Sequence, residues 1–422
     1  MNVSEQYQEC EPRRLLMIGY DSLEKLVSDG KIRLDDIKTL ELQFNFGKMF
    51  DEVLYIVPFG RKNDERRVSD TILYRELAFK RNGSGFRKLL AGLRHVRAAI
   101  AFLNRAVSDF KPDVVQTIGP HYTAALALFA RKVRALPKVC FIEAYWEDIL
   151  PWQNYFHPLI RRLLPFWYRI VYRLFDRYSG APSLAPEFYT RRGMAIEKIS
   201  PWIQPLDFSE VNEAQASDAP ESMLNAAIPR IVVLGRLHPE KLAPDAFHIF
   251  ADAVQKDLKG TLIFVGDGAD RSVIEREVKA RGLQDRIVIT GQVSHRIAMA
   301  ALKASDYSIA PMQGSALLET LAAGIPTIAY DHETHAALIE TGVNGILVPH
   351  RNIKAAAYQL RELLSDPVSA KALGQKAYER VAERYNVNAM RKLLKTSFID
   401  AYQVRIKNPM RSVKPHEESL VA

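Results

Sequence analysis

The chain has 422 residues, 48% of them hydrophobic and 25% charged, an ordinary globular balance at a length that favours two domains. Its 58 basic and 49 acidic residues leave +9, which suits a mildly basic surface, anionic lipid or a polyanionic substrate; the cations are dispersed without a recognised nucleic-acid module, so nucleic acid is not an expected partner. Cys10 and Cys140 make neither a disulfide framework nor a zinc cluster, no run of about 18 apolar residues offers a spanning helix, and Met1 to Arg14 lacks the apolar segment of a signal peptide, so a reducing, cytoplasmic setting is expected.

Short β-rich runs then alternate with helical ones. Residues 15–20, 53–58, 113–117 and 138–142 read as strands. Residues 86–110 read as a helix with Leu89, Leu90, Leu93, Val96, Ile100 and Leu103 on one face. Strand, helix, strand at this spacing implies a parallel sheet covered on both sides. The pattern breaks near Ser200-Pro201-Trp202, and an acidic stretch follows over 210–221. Alternation resumes with strands at 230–234, 261–265, 287–290, 307–310, 326–330 and 346–348. Helices are read at 245–258, 271–281, 295–304 and around Leu317. The expected fold is α/β: two doubly wound, Rossmann-like domains facing across a cleft, with ligand at the carboxyl ends of the strands. The domain limits read as 1–205 and 206–385, with a helix over 386–408 packing back on the first domain. Residues 409–422 read as a disordered tail.

Two segments carry candidate chemistry. Gly235-Arg236-Leu237-His238-Pro239-Glu240-Lys241 follows the apolar run 231–234. A guanidinium binds phosphate oxygens bidentately and a lysine adds a point charge; read alone, the two are equally surface cations in a turn. Gly314-Ser315-Ala316-Leu317-Leu318-Glu319 opens a short helix ending at Gly324. Ser315 is the expected N-cap, the N–H groups of Ala316 to Leu318 favour an anion, and Glu319 is expected in the first turn. Read alone, that carboxylate equally compensates the helix dipole.

These segments resemble the nucleotide-binding half of family 4 glycosyltransferases of GT-B fold, as do Leu262-Ile-Phe-Val-Gly-Asp-Gly-Ala269, Ile289-Thr-Gly-Gln-Val293, Glu319-Thr-Leu-Ala-Ala-Gly-Ile-Pro-Thr327 and Thr341-Gly-Val-Asn-Gly-Ile-Leu-Val-Pro349. The resemblance implies that Arg236 and Lys241 hold the diphosphate of a nucleotide-sugar donor and Glu319 the ribose, with Gln292 and Val293 beside the base. It implies transfer, with retention, to the hydroxyl of a glycan or lipid-linked acceptor. A nucleotide-sugar epimerase and a non-catalytic nucleotide-binding partner protein are the rival readings. The sequence departs from the family pattern in several places. Pro311 stands eight residues before Glu319, where the family has a glutamate, and Ala337 stands where many relatives carry another. The loop Ile18-Gly-Tyr-Asp-Ser22 has one glycine rather than two. No Asp-x-Asp occurs, so no metal is expected.

In the first half, Lys111-Pro-Asp-Val-Val115 and Gly119-Pro-His-Tyr-Thr123 resemble the acceptor side of the family, which makes His121 a candidate. Val139-Cys-Phe-Ile-Glu143 ends in Glu143 where relatives often place a histidine; that carboxylate is a candidate base. Over 152–178, Arg169, Arg173 and Arg177 step by four, read as a stripe opposite Phe166, Ile170, Leu174 and Phe175. With the aromatics nearby this suits an anionic membrane surface, hence a peripheral placement on the inner face, or a solvated helix face.

Overall fold

In a computed structural model the described residues are 11–28, 32, 34–79, 85–142, 158–180, 190, 193–201, 206, 208–254, 259–332 and 334–407. The chain divides into two compact units, Met1–Ile203 with Arg391–Ala422, and Gln204–Met390.

The first unit holds strands β1 (Arg14–Ile18), β2 (Glu52–Gly60), β3 (Asp64–Arg67), β4 (Ile72–Ala78), β5 (Val114–Ile118), β6 (Lys138–Phe141), β7 (Arg177–Gly180) and β8 (Ile199–Pro201). Their order is β3-β4-β2-β1-β5-β6-β7-β8, parallel throughout except for β3, which runs antiparallel to β4. The central strands are apolar because both faces are covered; β1 reads RLLMI and is buried from Leu15 onward. The helix Gly85–Phe110 buries Ala99, Leu103, Ala106 and Phe110. Leu93, expected on its core face, is 55% exposed. From Arg391 the last helix, Val387–Lys407, belongs to this unit. Its Phe398 meets Phe50 edge-on at 5.0 Å, and Arg405 donates to the carbonyls of Arg134 and Ala135.

The second unit is built on β9 (Arg230–Leu234), β10 (Thr261–Val265), β11 (Ile287–Ile289), β12 (Tyr307–Ala310), β13 (Thr327–Asp331) and β14 (Ile346–Pro349). The order β11-β10-β9-β12-β13-β14 is parallel throughout. Chain order reverses direction between β9 and β12, so the loops leaving those strands part and open a crevice at their carboxyl ends. Two helices follow β14. Asn352 caps Ile353–Ser365 by accepting from Ala355 N, and Asp366 caps Pro367–Arg384 by accepting from Ser369 N. Gly374 on the second of these lies against the end of the Ser315–Ala322 helix: a Cβ there would stand 2.2 Å from Gly324 O.

Candidate active site

In the second unit, the loop after β9 and the helix after β12 flank the crevice where the sheet reverses. The β9 loop is clamped by the loop after β10. Leu237 N donates to Asp267 O at 2.9 Å, and Asp270 N donates to Leu237 O at 2.9 Å. The approach is so close that a Cβ on Gly266 would lie 2.0 Å from Gly235 O. Lys241 ends the turn Pro239–Lys241, where Leu242 takes a left-handed conformation before the next helix starts. Its Nζ lies 4.0 Å from where a Cβ on Gly314 would be, which brings the ammonium to the start of the Ser315–Ala322 helix.

That helix corrects three expectations. The N-cap is Gly314 rather than Ser315, and glycine has no side chain to cap with. Leu317 N donates to Gly314 O at 3.0 Å, so the N–H groups left to an anion are those of Ser315 and Ala316. The side chains of Leu317 and Leu318 are core. Glu319 sits in the second turn rather than the first, too far along to serve chiefly the helix dipole. The helix ends as read, with Gly324 in the left-handed region at φ 75°.

Arg236 is 70% exposed at its side chain, and its Nη2 donates to Glu240 Oε1 at 2.6 Å. Gln292 is exposed and Val293 half-buried, in the segment between β11 and the helix His295–Lys303. Glu319 Oε1 lies 3.1 Å from His295 Nε2, and His295 Nδ1 lies 2.9 Å from Glu210 Oε2. Neither His295 nor Glu210 was singled out in the sequence; they stand far from Glu319 along the chain, with no shared motif. Gln313, just before Gly314, is 5% exposed, and its side-chain amide has no hydrogen-bond partner among the described residues. His335 beneath it bridges Gln313 O (2.8 Å) and Tyr330 O (2.9 Å); burial holds its pKa down while the two carbonyls oppose that. Among the described residues no three His, Cys, Asp or Glu side chains gather as a cation site.

In the first unit His121 sits at the end of β5 and precedes the helix Tyr122–Phe129. Its Nδ1 lies 3.0 Å from Tyr168 Oη, and burial pushes its pKa down to about 4, so the ring is neutral at pH 7. Trp167 Nε1 donates to Pro120 O at 3.0 Å. Trp167 and Tyr168 therefore face inward and tie the helix Pro158–Leu174 to the His121 loop. The arginine stripe is corrected as well. Arg177 lies in β7, beyond the helix, and pairs with Asp400 at 3.2 Å. Leu163, Phe166 and Leu174 are 57%, 64% and 52% exposed; at spacings of three and eight they share one face, and the exposed Arg169 and Arg173 flank that face rather than oppose it. No helix among the described residues is long and apolar enough to cross a membrane. Glu143 and Trp152 lie outside the described residues.

Residues 218–380 match the family described as glycosyl transferases group 1. Over 165 residues the chain is 28% identical to the alpha-D-kanosaminyltransferase of Streptomyces kanamyceticus, covering 38% of this chain and 43% of that protein. Over 160 residues it is 28% identical to the alpha-monoglucosyldiacylglycerol synthase of Streptococcus pneumoniae, covering 37% and 36%. The aligned stretch thus spans less than half the length of these relatives. The fold is similar to that of Anabaena Alr3699/HepE, solved in complex with UDP, at a TM-score of 0.64 and 14% identity over 95% of this chain and 100% of that one. The fold is GT-B, and the match to the glycosyl transferases group 1 family is confined to residues 218–380.

Proposed function

We propose that the chain moves a sugar from a nucleotide-diphosphate donor to an acceptor hydroxyl in the biosynthesis of a polysaccharide or a lipid-linked glycan. The observation that carries this is the juxtaposition of Lys241 Nζ with the uncapped start of the Ser315–Ala322 helix, in the crevice where the second sheet reverses. A cation and free backbone N–H groups at one point are what a diphosphate leaving group requires as its charge grows. Glu319, one turn further along, presents an acceptor for ribose hydroxyls. In this reading the diphosphate is neutralised by Lys241, Arg236 and the helix start, without a metal. His121, a neutral ring at the end of β5, serves the acceptor side. Retention of configuration follows from the family resemblance.

The relatives' names support the sugar-transfer class and make a lipid acceptor reasonable. The exposed Leu163, Phe166 and Leu174 with Arg169 and Arg173 fit a cytoplasmic protein resting on an anionic membrane face. The test is a thermal-shift screen against UDP, GDP and ADP with a chelator present. Ligand at about 100 times its Kd should add about 2.7 kcal/mol of stability, so the matching nucleotide stands out. No shift with any of the three, or a shift only when magnesium or manganese is restored, counts against the reading. Conversion of a nucleotide sugar to its epimer without acceptor would favour the epimerase instead.

A further inference from the structure

We propose that His295 is the positioning residue for Glu319: held between Glu319 and Glu210, it orients the carboxylate that receives the donor's ribose and ties donor affinity to its own protonation. This rests on the reading of Glu319 given above. The geometry is a three-member chain drawn from three helices. Glu210 comes from Phe208–Glu213, His295 from the first position of His295–Lys303, and Glu319 from Ser315–Ala322. Ser294 caps the second of these by accepting from Ile297 N, which fixes where the ring emerges. The ring nitrogens lie 2.9 Å and 3.1 Å from the two carboxylates.

Protonation decides what this chain of groups can do. An imidazolium donates from both nitrogens, so both carboxylates are held. A neutral ring has one N–H, and one carboxylate then faces a lone pair at hydrogen-bond distance. Glu319 is only 16% exposed at its side chain, whereas His295 and Glu210 are about half exposed. The other charged groups beside His295 are Arg296 on its own helix and Asp218 on the adjoining 3-10 turn. They pair with each other at 2.8 Å, so the ring is left to the two glutamates. The hydrogen bond His295 donates to Glu319, then the charges of both carboxylates and the bond to Glu210, raise the pKa of His295 against the burial that lowers it, which favours the holding form. Exposed ion pairs add little to stability; the expected effect is on carboxylate orientation, and so on ribose binding.

The experiment is calorimetric titration of whichever of UDP, GDP and ADP binds tightest, from about pH 5.5 to about pH 8.5. Wild type, His295→Gln, Glu210→Gln and Glu319→Ala are compared, each checked for folding by thermal melting. In the wild type, Kd should rise about two- to tenfold more across the range than in His295→Gln, the size of one hydrogen bond gained or lost. His295→Gln should bind like the wild type at high pH and keep only the pH dependence of the nucleotide itself. Glu210→Gln should shift the midpoint down, since it removes one of the two charges favouring the imidazolium. Glu319→Ala should weaken binding at least about tenfold at every pH. Identical profiles for wild type and His295→Gln, with Glu319→Ala still weak, overturn the role of His295 and leave the donor reading standing. Full-strength binding by Glu319→Ala, or no binding by any of the three nucleotides, overturns the donor reading and this inference with it.

Discussion

Two cations are assigned to one diphosphate, but the structure makes them unequal. Lys241 Nζ already stands at the helix start. Arg236 is 70% exposed and bonded to Glu240. To meet a phosphate it must leave a carboxylate, and such an exposed pair contributes about 0–1 kcal/mol. A charge-assisted hydrogen bond is worth roughly 1.5–3 kcal/mol. Lys241→Ala should therefore raise the nucleotide Kd by about ten- to a hundredfold, at 1.4 kcal/mol per decade. Arg236→Ala should cost less, about two- to thirtyfold once a lost pair of about 1 kcal/mol is subtracted. Glu240→Gln carries the sharper test: it releases Arg236 and takes a negative charge from the approach, so it should tighten binding about two- to fivefold. Calorimetry at low and high salt would measure all three, with the gain in Glu240→Gln shrinking as salt rises. If Arg236→Ala costs more than Lys241→Ala, or Glu240→Gln weakens binding, the assignment of the ammonium as the principal phosphate contact is refuted.

Gly374→Ala gains up to about 1 kcal/mol of helix propensity, but its Cβ meets backbone at 2.2 Å and overpacking costs about 1–3 kcal/mol or more; denaturant unfolding should show a net loss, and a gain would mean the two helices are not in that contact. Gln313→Leu removes a buried amide with unmet hydrogen bonds and should stabilise the fold by about 1–2 kcal/mol; if the amide serves the donor, nucleotide affinity falls in the same variant, and unchanged affinity would leave it a packing residue. His121 has its folded pKa pushed down to about 4, so as pH falls below its ordinary 6.5 the unfolded chain takes up a proton that the folded one refuses. The wild type should lose on the order of 3 kcal/mol between about pH 6.5 and about pH 4 relative to His121→Gln, and parallel stability curves would refute the burial argument. Sedimentation with phosphatidylserine vesicles should capture the wild type at low salt, with about 1 kcal/mol per arginine near the surface, and should fail for the triple Leu163→Ser, Phe166→Ser, Leu174→Ser variant; capture of both would place the contact elsewhere.

The elements most legible in the sequence were those with one physical cause. Arg230–Leu234, Thr261–Val265 and Tyr307–Ala310 are apolar strands buried on both faces, and Arg271–Arg281 is closed by Gly282 in the left-handed region. Each boundary is set by a turn residue. The β3–β4 hairpin was not legible, because β3 reads DERR and is an exposed edge with no apolar alternation to mark it. Arg177 was misplaced because a step of four continues on paper through the helix end at Leu174, although the chain turns there into β7. In the site, motif residues near Lys241 and Glu319 could be read from spacing. The Glu210–His295–Glu319 chain could not, since three separate helices create it and no local pattern signals the meeting.

The departures from the family pattern bear on one quantity, the negative charge around the donor. Pro311 and Ala337 stand where relatives place acids, and among the described residues Glu240 and Glu319 are carboxylates beside the proposed diphosphate and ribose groups. Each of these is engaged with a cation or a protonatable ring: Glu240 with Arg236, Glu319 with His295. From Gly314 to Glu319 the helix rises about 1.5 Å per residue, so a cationic end and a carboxylate end are held on one rigid rod. A ligand that is anionic at one end and a hydroxyl donor at the other matches both ends at once. A free sugar satisfies only the second, and inorganic phosphate only the first. Because the rod fixes their separation, a nucleoside diphosphate should bind more tightly than the combined affinities of nucleoside and phosphate imply, as linked contacts do. Titrating nucleoside, phosphate and nucleoside diphosphate separately would show that excess, and it should vanish in Glu319→Ala while phosphate binding persists.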